Sequence, residues 1–379
     1  VGVTGTNGKT TTVHILRHLL DAPDARSASI GTLGVLVGSA GQELPGGSGL
    51  TTPGPVELQH LFRVLVDAGV RCVAMETSSH ALHQHRVEGV AFDSAVFTNL
   101  TQDHLDYHKT MEAYFQAKAL LIRQVTPGGA VVSNADDRAW DALPMVGRRV
   151  QFSATGAPAD ARALDVVLGA RGSEWSLELG GERHAVRLPL MGDFNVANAL
   201  GAAAAAWALG HAPRTIAERL CTVPQVPGRL EVISQQPLVL RDYAHTPDAL
   251  ERALDAVRPF ARGRLICVFG AGGDRDRGKR PLMGAAVAAR ADIAIVTSDN
   301  PRTEDPERII DDIVAGMPGV AYERLADRRA AIAHALAVAT AGDLVLLAGK
   351  GHETYQVIGT EKVPFDEKMI VNELLGVRA

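Results

Sequence analysis

Over 379 residues the chain has only three cysteines, Cys72, Cys221 and Cys267, far apart in sequence. That spacing excludes a disulfide framework, and the three read as core thiols in a reducing compartment. Aromatic residues make up 4%, too few for a platform that stacks nucleic-acid bases. Neither sign of charge is in strong excess: the net charge is −5 and the pI is near 6.2. A bulk binder of nucleic acid or of anionic membrane surfaces is therefore not expected. Long apolar runs are also missing. The longest, Ala199 to Leu209, is mostly alanine and falls short of the roughly 20 apolar residues that a membrane-spanning helix needs. No signal peptide is expected ahead of the first strand, and the sequence shows no internal repeat or low-complexity stretch. The chain begins without methionine, directly in an apolar strand, so a trimmed terminus or a missing preceding segment is expected. What remains is an ordinary globular composition, 46% hydrophobic and 21% charged, on a chain long enough for two or three domains.

The first half alternates strand and helix. Val1 to Thr4 is a short strand, and Lys9 to Leu20 is a helix with Ile15, Leu16, Leu19 and Leu20 on one face. "TTPGPVELQHLFRVLVDAG" opens with turn and cap residues and continues as a helix. "VRCVAME", "DSAVFTN" and "GAVVSN" are buried strands, and such runs separated by helices predict a parallel sheet covered on both faces. Residues 148 to 190 differ, with apolar runs broken by Arg-Gly-Ser and Gly-Gly-Glu that predict antiparallel hairpins. An alanine-rich helix follows, and the Pro/Gly-rich "TVPQVPGRLE" places a domain boundary at 225/226. Beyond it comes a second α/β series. It holds the strands "PLVLRD", "RLICVFG", "DIAIVTSDN" and "DLVLLAG", a helix capped by Thr246 with Pro247 first, and a helix opened by Asp305-Pro306. The expected fold is α/β: a P-loop domain (1–225) with a mainly parallel sheet and a small antiparallel region, then a Rossmann-like α/β domain (226–379).

The opening stretch "VGVTGTNGKTTT" feeds a strand into Gly5-Thr6-Asn7-Gly8-Lys9-Thr10 and then a helix. Backbone N–H groups at a helix start, glycines that allow close approach and the Lys9 charge suit a nucleotide triphosphate, with Thr10 placed to ligate Mg²⁺. The early glycine of the usual P-loop spacing is absent, since Val3 occupies its position. Glu76 ends a buried strand, where a side chain at the carboxyl edge of a parallel sheet faces a ligand crevice. Five of thirteen histidines fall between His80 and His108. Their spacings match no closed zinc pattern, and Mg²⁺ held by Glu76 and a histidine suits the hard, phosphate-rich setting better. Lys118, within "YFQAKALL", reads from the residues alone as a snorkelling lysine. In the second half, "RDYAHTPD", "GAGGDRDRGKRP", "TSDNPRTEDP" and "GKGHETY" each follow a buried strand, so all four should gather on one sheet edge. Arg275, Asp299, Arg302, His352 and Glu353 there suit a zwitterionic or carboxylate-bearing ligand.

Taken together, "GTNGKTTT", "ETSSHALHQHR", "NLTQDHLDYH", "AKALL", "GDFNVANALGA", "GGDRDRGKRPLM", "DNPR" and "GKGHE" resemble the Mur ligases, in order along the whole chain. "GTNGKT" alone would also fit folylpolyglutamate and cyanophycin synthetases. The resemblance explains the shortened loop spacing. It implies that ATP sits on Gly5, Thr6, Asn7, Gly8, Lys9, Thr10 and Thr11, with Asn195, Arg229 and Asp242 contacting the adenosine part. It implies Mg²⁺ on Thr10 and Glu76, and a second Mg²⁺ on His104 and Lys118. Lys118 would then be carbamylated, which replaces the snorkelling reading. Thr51, Thr52, Ser78, Gln84 and Arg86 match contacts to a UDP-MurNAc-dipeptide. Arg275, Asp299, Asn300, Pro301, Arg302, Gly349 and Glu353 match the site for an incoming amino acid. The implied activity is ATP-dependent amide ligation in peptidoglycan precursor synthesis, and so in cell-wall biogenesis, cell shape and division. It adds meso-2,6-diaminopimelate to the D-Glu of UDP-MurNAc-L-Ala-D-Glu through an acyl phosphate, with Lys9, Glu76, His104 and Lys118 as the catalytic set. No residue stands out as a general base. The expected setting is a cytoplasmic monomer with small-molecule substrates and neither nucleic acid nor membrane as partner.

The resemblance implies a uridine-nucleotide domain before the loop strand, and the sequence starts at that strand. The chain is therefore expected to bind ATP and to hold the UDP-linked substrate poorly. The nearest alternative amino acids are L-lysine and L-ornithine, against which Arg302 offers a partner for the extra carboxylate of diaminopimelate. A folylpolyglutamate synthase-like ligase is a further alternative. A P-loop motor or GTPase would need a base-reading loop such as N-K-x-D, which the sequence lacks, and a metal module built on the histidine cluster would leave the second half unexplained.

Overall fold

The computed structural model describes residues 1–45, 49–144 and 146–376. It divides into two compact units, Val1–Pro224 and Gln225–Ala379. In the first unit the strands are β1 (Gly2–Thr4), β2 (Arg26–Gly31), β3 (Gly34–Val37), β4 (Gln42–Leu44), β5 (Val70–Glu76) and β6 (Phe92–Phe97). They continue as β7 (Val125–Asn134), β8 (Arg148–Ser153), β9 (Ala161–Gly169), β10 (Gly172–Leu179) and β11 (Glu182–Leu188). Among the described residues they form one sheet of order β11-β10-β9-β8-β7-β6-β1-β5-β2-β3-β4. Every pairing from β2 through β5, β1, β6, β7 and β8 to β9 is parallel, while the hairpins at both ends are antiparallel.

The expected helix from Lys9 to Leu20 forms with those bounds and is buried along almost its whole length. It packs against the alanine-rich helix Asp193–Ala208, whose small side chains permit close approach and whose Gly201 lies against Phe152 and Val96 of the sheet. Alanine here fills a helix–sheet–helix interior, and no helix among the described residues is long and apolar enough to cross a membrane. Two expectations need correction. Arg148–Ser153 joins the parallel part of the sheet, and antiparallel pairing begins only between β9 and β10. Cys221 is exposed at the end of the helix Pro213–Leu220 and is not a core thiol; Cys72 is half-buried and Cys267 buried.

In the second unit the strands are β12 (Glu231–Gln235), β13 (Leu238–Asp242), β14 (Leu265–Phe269), β15 (Ile293–Val296), β16 (Glu323–Arg324) and β17 (Leu344–Ala348). Their order is β12-β13-β17-β14-β15-β16, parallel except for the edge strand β12. A separate hairpin, β18 (Tyr355–Ile358) and β19 (Glu361–Pro364), completes the set. Because β13, β14, β15 and β17 run in one direction, the loops after them leave from one edge, as their placement behind four buried strands implied. The helix Pro306–Val314 buries Ile309, Ile310 and Ile313 as its apolar spacing predicts.

Candidate active site

The loop after β1 occupies the middle of the carboxyl edge of the first sheet. The strand ends on either side of it are Glu76-Thr77 and Thr98-Asn99, which bond to β1 through Thr77 N–H to Val3 O and Thr98 N–H to Thr4 O. Asn99 shapes the loop from outside. Its carbonyl accepts from Thr6 N–H at 2.8 Å and its Oδ1 from Asn7 N–H at 2.9 Å. The Thr98 hydroxyl donates to Asn7 O at 2.7 Å. Gly5 and Gly8 both sit at positive φ, +151° and +84°, and a Cβ on either would meet Thr98 Oγ1 at 1.8 Å or Asn198 Oδ1 at 2.2 Å. Both glycines are therefore steric requirements. Thr98, Asn99 and Asn198 were not singled out from sequence. Their signal was present in "NLTQDH" and "NVANAL", but only the fold puts them against the loop.

Lys9 turns back over its own loop, donating to Gly5 O at 2.8 Å and Thr6 O at 2.7 Å. Lys118 reaches the same Gly5 carbonyl at 2.8 Å from the other side, with its nitrogen 4.3 Å above the Tyr114 ring. It is 1% exposed, so the snorkelling reading fails. Burial, with the nearby Lys9 charge adding to it, holds its pKa well below the ordinary lysine range and favours the neutral amine. Tyr114 in turn bonds Thr6 Oγ1 at 3.3 Å, and burial pushes its hydroxyl above the usual range.

Glu76 is 1% exposed, and its carboxylate accepts Thr32 N–H at 2.8 Å and the Thr32 hydroxyl at 3.2 Å. It lines one small cavity together with Thr10, His14 and Ser29. A carboxylate and a hydroxyl beside a glycine-rich loop at a helix start are hard oxygen donors of the kind Mg²⁺ selects, so these residues fit that ion. His104 lies at the head of the short helix Leu105–His108, in the left-handed region at φ +54°. It stands edge-on to His80 at 4.8 Å, and its side chain is 45% exposed. Among the described residues no group of three or more His, Cys, Asp or Glu is placed to hold a metal.

The residues matched to the UDP-linked substrate gather next to this edge. The Thr52 hydroxyl donates to Glu76 O at 2.8 Å and accepts Ser78 N–H at 3.1 Å. Arg86 donates to Thr52 O at 3.2 Å and bonds Gln84, while Thr51 faces Thr32 at 3.3 Å. Asn195 is buried, with its amide committed to Met191 O at 2.7 Å and its Oδ1 to Asn198 at 3.0 Å. It thus backs the loop through Asn198.

In the second unit Arg229 lies over the Tyr243 ring at 4.7 Å. Asp242 accepts Leu230 N–H at 2.7 Å and Ala244 N–H at 2.8 Å, and burial raises its pKa despite the nearby Arg229. Asp299 and Asn300 are buried at the end of β15, and Asn300 Nδ2 donates to Glu353 at 2.9 Å. Pro301 O lies close under Gly273. Arg302 adopts φ +51° and donates to Gly273 O at 2.7 Å, and Gly349 turns at φ +115° beside Asp299. Arg275 is exposed and, among the described residues, donates to the neighbouring Asp274 O at 3.0 Å. Buried cations of this unit escaped notice in the sequence, among them Lys350 at the centre of this cluster and Arg328, which donates to Ala348 O at 2.9 Å from the helix Arg328–Val338.

Comparison with known proteins covers the whole chain. The Mur ligase middle domain model matches residues 3–206, and the model described as Mur ligase, glutamate ligase domain matches residues 228–351. A UDP-N-acetylmuramoyl-L-alanyl-D-glutamate–2,6-diaminopimelate ligase of Synechococcus elongatus is 51% identical over 381 residues, covering 97% of this chain and 74% of its own length. A solved structure of a ligase of that name matches with a TM-score of 0.70 and 37% identity, over 99% of this chain and 77% of the other. The folylpolyglutamate synthase of Mycobacterium tuberculosis, complexed with ADP and AMPPCP, shares the fold at a TM-score of 0.73 and 19% identity, over 92% and 88% of the two chains.

Proposed function

The chain belongs to the Mur ligase family, and from that premise we propose that it is the ATP-dependent ligase that joins meso-2,6-diaminopimelate to UDP-MurNAc-L-Ala-D-Glu. The observation that carries this reading is the loop Gly5–Thr10 at the carboxyl edge of a parallel sheet, with Thr10 and Glu76 lining one small cavity beside it. In the reaction the side carboxylate of the substrate's D-glutamate attacks the γ-phosphorus of ATP, releasing ADP and leaving an acyl phosphate. The amine of diaminopimelate then adds to the acyl carbon, and the tetrahedral intermediate expels phosphate to form the amide.

Lys9 and the backbone N–H groups from Gly5 to Thr11 bind and orient the phosphates, placing fixed positive charge where negative charge develops. Thr10 and Glu76 would hold Mg²⁺, which when bound supplies charge neutralisation to the phosphates. His104 and Lys118 would hold a second ion once Lys118 is carbamylated. In that modification the neutral amine adds to CO₂, gives an N-carboxylate and releases one proton; the burial of Lys118 supports it. Thr51, Thr52, Ser78, Gln84 and Arg86 orient the dipeptide substrate. Asn195 supports the loop through Asn198. Asp299, Asn300, Pro301, Arg302, Gly349 and Glu353, with Arg275 at the rim, receive the amino acid. Since ATP and a uridine nucleotide are the substrates, the place of action is the cytoplasm.

ADP release measured with diaminopimelate, L-lysine and L-ornithine in parallel tests the reading. Diaminopimelate is expected to give the highest kcat/KM by at least about tenfold, because Arg302 can pair with its extra carboxylate. Faster turnover with lysine or ornithine would replace the amino acid, and no turnover with any amino acid, with UDP-MurNAc-L-Ala-D-Glu raised until the rate no longer changes, would remove the proposal.

A further inference from the structure

Lys350 is 0% exposed, inside the loop "GKGHE" that follows β17. Its ammonium has three partners: Asn300 Oδ1 at 3.0 Å, Glu353 Oε2 at 3.2 Å and Asp299 Oδ1 at 3.4 Å. An ammonium has three N–H donors, so this set accounts for all of them and leaves none for a ligand. The backbone is bent to make the arrangement. Gly349 and Gly351 flank the lysine at φ +115° and +54°, and a Cβ on Gly351 would meet the Tyr243 Cβ at 2.7 Å. Two glycines in the left-handed region thus turn a lysine inward from a surface loop.

A buried ammonium is costly unless paired, and here it faces two carboxylates. Asp299, Lys350 and Glu353 together carry one negative charge in excess. Asn300 is locked as well, because its Oδ1 also accepts Val357 N–H at 2.9 Å and its Nδ2 donates to Glu353. Of the two carboxylates Glu353 is the more exposed, with its side chain 17% accessible against 7% for Asp299, so the excess charge has an open side.

We propose that Lys350 is the positioning residue of the amino-acid pocket. It holds Asp299, Asn300 and Glu353 in one arrangement and leaves them one positive charge short, which fits the cluster to an ammonium group of a zwitterionic amino acid. The inference rests on the reading that this unit receives the incoming amino acid. Lys350 does not touch that substrate; it acts through the residues that do.

The test is ADP release by the full chain at saturating ATP, Mg²⁺ and UDP-MurNAc-L-Ala-D-Glu, with diaminopimelate titrated, for K350A and K350M. Removing a charged partner from two carboxylates is expected to raise the KM for diaminopimelate about 100-fold, with the KM for ATP within about twofold. Propylammonium, which matches the Cγ, Cδ, Cε and Nζ atoms removed in K350A, should bring the raised KM back down, whereas n-propanol, with the same number of heavy atoms and no charge, should not. An unaltered KM for diaminopimelate in K350M, an equal rise in both KM values, or equal rescue by the alcohol would each overturn the inference. K350M fills the volume if K350A does not fold. Failure of both to protect β14 and β17 in hydrogen exchange would make Lys350 a requirement of the core and overturn a positioning role. A parent chain that turns over no amino acid removes the functional reading and the inference with it, whereas a working parent with unaltered variants removes the inference alone.

Discussion

Replacing Arg328 with methionine should destabilise the second unit severely, and replacing its partner at the same time should undo most of the damage. Arg328 and Glu367 are both fully buried, with Nε and Nη2 each 2.8 Å from Glu367 Oε1. Among the described residues Glu367 Oε2 has no hydrogen-bond partner, so the guanidinium is what balances this carboxylate. Burial works against the charge on Arg328, but Glu367 together with the nearby Asp299 outweighs it and holds the proton above the usual arginine range. A pair of charges about 4 Å apart at an effective dielectric constant of about 20 attracts by roughly 4 kcal/mol. Leaving one member of a buried pair behind typically costs about 3–5 kcal/mol, the range expected for R328M. R328M/E367M removes both charges, and its net cost should fall below about 2 kcal/mol, since apolar replacement of a buried pair is often close to neutral. Hydrogen–deuterium exchange of β14 and β17 in the full chain measures this, because all three tryptophans lie in the first unit and report nothing on the second. The reasoning is refuted if R328M lowers protection by less than about 1 kcal/mol or if the double variant is no more stable than R328M. Arg328 also donates to Ala348 O and approaches Ser298 O at 3.5 Å, one residue before Gly349 and Asp299. R328M should therefore raise the KM for the amino acid as well as loosen the sheet.

Two further outcomes are expected. G8A places a Cβ 2.2 Å from Asn198 Oδ1 at φ +84°, so it should cost about 1–2 kcal/mol in backbone strain and abolish measurable ATP binding in equilibrium dialysis. Tight ATP binding by G8A would show that the loop can take another path. Asp343, buried, accepts bonds from the Arg264 side chain and backbone and from Thr340 N–H and its hydroxyl. Burial alone would raise its pKa, but these bonds outweigh it and hold the carboxyl well below the usual range. A depressed folded-state pKa means the stabilisation is complete above the unfolded aspartate value, about 4, and is lost as pH falls below it. D343N should therefore lower stability at pH 7 by about 1–3 kcal/mol and flatten the acid limb of the profile between about pH 4 and 2. An unchanged limb in thermal melts would refute this.

Much of this protein was legible before folding was considered. The Lys9–Leu20 helix, the buried strands and the four loops behind "PLVLRD", "RLICVFG", "DIAIVTSDN" and "DLVLLAG" follow from periodicity and turn chemistry, which act over a few residues. The short pieces β3, β4, β16 and the β18–β19 hairpin were not legible, because two to four residues carry too little pattern to outweigh their loops. Cys221 was misjudged for a related reason: an apolar-looking neighbourhood does not say which side of a helix end faces solvent.

The sequence by itself determined where a candidate phosphate loop sits, since such a loop needs glycines, a lysine and a hydroxyl in consecutive positions and so leaves a local trace. Only the tertiary structure decided which charges are buried and what they face. Lys118 reads as a solvent-seeking side chain along its helix, yet the fold seals it against Gly5 and Tyr114 and favours its neutral form. Lys350 reads as one polar residue in a glycine-rich loop, yet it lies among Asp299, Asn300 and Glu353, residues about 50 positions upstream and three downstream. Desolvation and charge pairing depend on atoms brought together from distant strands, and no local window of sequence contains them.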